Sequence, residues 1–124
     1  KTAYEIYQCD WSSDVCSSDL TCRHRERLES SGDVGRPPKE LKQDFPHLDF
    51  EHLDDPWWHH DPNVRSGFAI EPYEHFQKRV AHFQEWLKSH AGQNIAVIGH
   101  ATFFHALTGQ WLQNCEVLPW NAHA

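Results

Sequence analysis

Four stretches of the chain pattern apolar against polar positions in a regular way. Residues 95–98, Ile-Ala-Val-Ile, are an unbroken apolar run with three β-branched side chains, bounded by Gln93-Asn94 and by Gly99. This predicts a short strand buried on both faces, the environment of a parallel sheet. Over 71–90, Tyr73, Phe76, Val80, Phe83 and Leu87 recur at alternating three- and four-residue spacing with Trp86 beside them, which predicts an amphipathic helix. Pro72 suits its first position, and Ala91-Gly92 ends it. Helical spacing resumes at Thr102, with Phe103, Leu107 and Trp111 on one stripe. A short helix is expected over 39–45, between Pro38 and Pro46. Residues 114–117 are expected to begin a final edge strand.

Between these elements the pattern breaks down. Residues 45–63 hold three prolines, paired tryptophans and many Asx residues, which predicts an irregular excursion. Phe45, Leu48, Phe50, Leu53, Trp57 and Trp58 are its candidate anchors. Upstream, 21–38 opens with Arg23-His24-Arg25-Glu26-Arg27 and continues into a Ser/Gly/Pro loop, and reads as a solvated charged segment followed by a turn.

Composition changes the picture mainly at the N-terminal end. Residues 10–20 and 1–6 back-translate to the two constant blocks of a short-read sequencing adapter, in order, with 7–9 across the variable index. Residues 1–20 are therefore expected to be non-native and are excluded from fold reasoning. They hold one lysine and four acidic residues, so 21–124 carries 10 Lys+Arg and 14 Asp+Glu, a net charge of −4 against −7 for the whole chain. This mild acidity offers no basic patch for nucleic acid, and no apolar run is long enough for a membrane. Two of the four cysteines fall in the excluded segment, and the other two, Cys22 and Cys115, stand in no metal-ligand spacing. They fit a reducing cytoplasm.

His100 follows the 95–98 run and precedes a helix, so it sits where open α/β sheets bind ligands and where free helix N–H groups favour an anion. The residue-level alternative is a structural histidine at a strand end. The stretch Ile98-Gly99-His100-Ala101-Thr102-Phe103-Phe104-His105-Ala106-Leu107-Thr108-Gly109 resembles the second-histidine motif of the histidine phosphatase superfamily. In that motif an apolar strand leads into Ser-His-Gly-Gly and a helix ending Leu-Thr-Gly. Gly99 replaces the serine here, and Ala101 a glycine.

The resemblance covers most of 21–117. It implies an α/β, phosphoglycerate mutase-like three-layer sandwich, here truncated and without its N-terminal central strand or strands. Arg25-Glu26-Arg27 resembles the family's acid motif, which makes Glu26 the expected general acid, with Glu29 as the fallback and Gly32 and Gly35 shaping the loop. His100 and the Ala101 N–H are the expected phosphate contacts. Residues 45–68 match a family insertion that covers the active site. Arg79 falls at the family's helix arginine and is read as structural. The resemblance further implies a small phosphorylated substrate and neither metal nor other cofactor.

The family's nucleophile lies in an Arg-His-Gly motif, which this sequence lacks. Arg23-His24-Arg25 lacks the glycine and a preceding apolar strand, and is rejected. The expectation is a fragment of a metal-independent phosphoester hydrolase or phosphoryl-transfer enzyme, itself inactive. One alternative is a non-catalytic phosphate-binding pseudoenzyme. Another is a metal-binding protein using His47, His52, His59 and His60, although adjacent histidines and this spacing match no metal framework.

Overall fold

A computed structural model describes the backbone of residues 6–9 and 16–19, and residues 21–90 and 92–123 with their side chains. Three strands, β1 (Ile6–Cys9), β2 (Cys16–Asp19) and β3 (Ile95–Val97), accompany three α-helices, α1 (Pro38–Asp44), α2 (Tyr73–Ser89) and α3 (Ala101–Thr108). The strand order is β2-β1-β3, with both pairings antiparallel, and Tyr7 lies opposite Ala96.

Two expectations for β3 are corrected. Its partner runs antiparallel, not parallel. Its burial is also one-sided: Ile95 and Val97 pack against the helices, while Ala96 is exposed and Ile98 is 49% exposed. Successive strand side chains point to opposite faces, so covering β3 with helices on one side leaves the other parity open. Among the described residues there are two layers, sheet and helices. They show helices packed on one side of a short antiparallel sheet, without the third layer of a sandwich.

The core forms where α2 meets α3. Phe76, Val80, Phe83 and Phe103 are buried, and Trp86, Leu87, Ile95, Val97, Phe104 and Leu107 pack around them. The predicted stripe of α2 thus faces inward except at its first turn, where Tyr73 is exposed under the guanidinium of Arg27, 5.4 Å from the ring centre. Burying Phe83 and Phe103 completely removes on the order of 2–3 kcal/mol worth of apolar surface each from water.

Gly109 ends α3 in the left-handed conformation, φ 78°, and its N–H donates to the His105 carbonyl. That break takes Trp111 off the predicted stripe. It is exposed and stacks on His105 at 4.0 Å. The expected strand at 114–117 does not form. Residues 114 and 115 make a turn, with Cys115 at φ 61°, and Val117 is exposed.

The 45–68 excursion is irregular, as its composition requires, but its anchor is not the α2–α3 core. Leu41 of α1 and Phe50 form a second buried cluster with Phe45, Leu48, Leu53 and Trp57. Trp57 Nε1 donates to the Arg36 carbonyl at 2.8 Å. Gly35 lies beneath both tryptophans, where an added Cβ would come within 2.4 Å of Trp57 and 2.5 Å of Trp58. This close approach is what requires glycine.

Candidate active site

The 21–28 segment is not the solvated run that its charges suggest. His24 is fully buried and Leu28 nearly so, with Glu26 half-buried between them. Arg25 and Arg27 between them are also largely covered, and residues 22–24 make a turn in which the Arg25 N–H donates to the Cys22 carbonyl. The run of cations masks this burial in the sequence.

A buried ion pair holds this segment against α2. Glu71 is fully buried and accepts from Arg79 Nε at 3.0 Å and Nη2 at 2.7 Å. Arg79 Nη1 also donates to the carbonyls of Arg23 and Arg25, at 3.0 and 2.8 Å. The Glu71 N–H donates to the Leu28 carbonyl, and Arg27 Nε donates to the Glu71 carbonyl. Burial alone would raise the Glu71 pKa, but the Arg79 bonds and charge, with the His75 bond, outweigh it and hold it below the ordinary carboxylate value. Arg79 thus has a structural role, linking two backbone carbonyls and one carboxylate.

His100 is the N-cap of α3, with extended backbone, φ −121° and ψ 158°, and no side-chain capping bond. Glu26 does the capping from 77 positions away. Its Oε1 accepts the Phe103 N–H at 3.1 Å and its Oε2 the Thr102 N–H at 3.1 Å. The Arg27 N–H donates to Oε1 at 3.0 Å. The two residues that the sequence singled out are therefore brought to one place, the head of α3. Glu29 is not there. Its carboxylate pairs with Arg27 on the surface, and it is half exposed. Ala101 is exposed at the first position of the helix, and its N–H is not among those that Glu26 takes.

His24, which the sequence raised only as a rejected nucleophile candidate, lies buried beneath this arrangement. Its Nε2–H donates to the Ile98 carbonyl at 3.0 Å, and its ring stacks on Phe83 at 5.3 Å and meets Phe103 edge-on at 6.3 Å. Gly99 passes directly over it, and a Cβ there would lie 3.3 Å from His24 Cδ2 and 3.1 Å from Phe104 Cζ. Burial pushes the His24 pKa down to about 4, the Ile98 bond opposing this and the charges of His100 and Arg79 adding to it. With no exposed surface His24 cannot attack a substrate.

The histidine-rich excursion does not converge. His47, His52 and His60 are exposed, while His59 faces His75 of α2 at 5.3 Å. Burial, and the neighbouring His75, Arg25 and His60 charges, lower the His59 pKa against the opposing pull of Glu71. Among the described residues no three His, Cys, Asp or Glu side chains are grouped to hold a metal ion, and no helix is long and apolar enough to cross a membrane.

At the head of α3, then, the Glu26 carboxylate holds two helix N–H groups directly after His100. No curated protein and no solved structure matches the chain. The family model described as histidine phosphatase superfamily (branch 1) matches residues 19–123. That match spans most of the sequence, and the chain belongs to the histidine phosphatase superfamily.

Proposed function

We propose that this chain carries the acid and phosphate-stabilising part of a metal-independent phosphoester hydrolase or phosphoryl-transfer enzyme that works through a phosphohistidine on a small phosphorylated substrate. The observation that carries the reading is the meeting of Glu26 with the Thr102 and Phe103 N–H groups directly after His100. His100 and the Ala101 N–H serve the phosphoryl oxygens, where charge spreads during transfer. The histidine nucleophile forms its N–P bond as the P–O bond to the leaving group breaks, and Glu26 gives that oxygen its proton. Water then attacks phosphorus, the N–P bond breaks, and the Glu26 carboxylate takes the water's proton. To work this way the Glu26 carboxyl turns away from α3, which frees two N–H groups for the substrate.

The nucleophile is not in this sequence, which has no Arg-His-Gly. In this reading residues 1–20 are adapter-derived, the missing histidine and the remaining strands of a three-layer sandwich precede Thr21 in the parent gene, and 45–68 covers the site. The test is to resequence the gene across the codons before Thr21 and assay the resulting protein on simple phosphoesters. An upstream Arg-His-Gly, hydrolysis, and loss of at least about 100-fold in kcat on His100→Ala or Glu26→Gln are expected. A parent protein that has the motif but leaves phosphoesters intact overturns the reading.

The second reading is a non-catalytic phosphate-binding role. A natural upstream sequence without Arg-His-Gly would decide for it.

A further inference from the structure

We propose that His24 is a positioning residue, its buried Nε2–H holding the Ile98 carbonyl so that the turn through Gly99 delivers His100 to the head of α3. The inference rests on reading His100 as the phosphate contact.

Three observations carry it. The bond from His24 to Ile98 spans 74 positions and grips the chain two residues before His100. The imidazole is clamped between Phe83 and Phe103, and Gly99 packs against its edge, so ring and backbone turn cannot move independently. Finally, this histidine is an expensive choice for a core. Its Nδ1 is buried with no hydrogen-bond partner among the described residues. A phenylalanine would fill the same space without leaving a buried acceptor unsatisfied. The cost is understandable if the site needs the donor on the opposite nitrogen. Features that weaken a fold locally tend to collect at functional sites.

The tautomer follows from the geometry. Donation to a carbonyl requires the proton on Nε2, which leaves Nδ1 with a lone pair. His24 is neutral throughout the range in which an ordinary histidine titrates, because burial keeps its pKa near 4. Removing it therefore takes no charge away from His100, and any change in His100 titration reports placement.

The test is nuclear magnetic resonance on the 124-residue chain, with 15N-labelled histidine, for the wild type, His24→Gln and His24→Phe. Glutamine keeps an amide donor at the level of Nε2, whereas phenylalanine keeps the volume alone. At pH 7 the wild-type His24 ring is expected as the Nε2–H form. His24→Gln is expected to hold the His100 titration midpoint within about 0.3 unit of wild type, and His24→Phe to move it by about 0.5 unit or more with helix content unchanged by circular dichroism. A wild-type ring protonated on Nδ1, or a folded His24→Phe with an unchanged His100 curve, overturns the proposal. Should His24→Phe fail to fold, the tautomer and His24→Gln decide: a folded glutamine variant with a displaced His100 midpoint rejects it. These readouts need no turnover, so a parent protein that fails to hydrolyse phosphoesters sinks the phosphatase reading and leaves the placement result standing.

Discussion

Glu26 and Phe103, 77 positions apart, meet at the head of α3, where a carboxylate oxygen accepts the Phe103 N–H at 3.1 Å. With the matching bond to Thr102, one side chain satisfies two of the four N–H groups that a helix cannot satisfy itself. A capping side chain is usually local. Here it comes from the far end of the fold, so the cap also fastens the 21–28 segment to α3.

Removing that fastening should weaken the whole chain. Glu26→Ala is expected to lower unfolding stability at pH 7 by about 1–2 kcal/mol, and Glu26→Gln, which keeps one acceptor oxygen, by less. Urea titration followed by circular dichroism measures both. An alanine variant as stable as wild type would mean that the cap is not formed in solution.

His24 makes stability depend on pH. Its folded pKa of about 4 lies below the unfolded value of 6.5, so the unfolded chain binds the proton more readily between these values. Stability is full above pH 6.5 and falls as the pH drops towards 4, by on the order of 3 kcal/mol for this group. Glu71, with its lowered pKa, adds a separate loss that begins as the pH falls through the ordinary carboxylate value and continues below it. Comparing wild type with His24→Phe at pH 7 and pH 5 separates them, since the phenylalanine variant should lose much less over that interval.

The Glu71–Arg79 pair should be costly to break from one side only. Arg79→Met leaves a fully buried carboxylate without its main partner and is expected to cost about 3–5 kcal/mol. Glu71→Leu with Arg79→Met removes both charges, so the double variant should be more stable than the sum of the singles implies. Thermal melts of the four proteins form the cycle. Additive losses would show that the two groups act independently.

Gly35 should tolerate no side chain. Gly35→Ala puts a methyl group 2.4 Å from Trp57, and is expected to cost about 1–3 kcal/mol and loosen the packing of the excursion. Faster proteolytic cutting within 45–68, with α2 still protected, is the expected pattern. Unchanged cutting would place the tryptophans elsewhere.

How much was legible depended on whether the pattern was local. The α2 stripe from Phe76 to Leu87 and the α1 boundaries at Pro38 and Phe45 follow from periodicity and proline chemistry, and they appear nearly where expected. The head of α3 was legible because Gly99 and the apolar run before it mark a strand turning into a helix. Trp111 was misplaced because its spacing continues the stripe, while Gly109 in the left-handed conformation ends the helix first. The direction of β3 depends on its neighbour, and a three-residue strand says little about that. His24 was hidden by its company. Between two arginines a histidine looks solvated, and only the tertiary contacts with Phe83 and Phe103 show it inside.

The excursion's separate hydrophobic cluster has an evolutionary consequence. Leu41, Phe50 and Trp57 pack with one another and not with Phe83 or Phe103, so a substitution in one group should be felt little in the other. Sequence drift in the excursion meets its resistance locally, at Gly35 and the Arg36 carbonyl, while the α2–α3 core keeps its shape. Such a segment can be lengthened, shortened or exchanged between relatives as a unit, and a lineage could diversify there while the histidine at the head of α3 stays fixed.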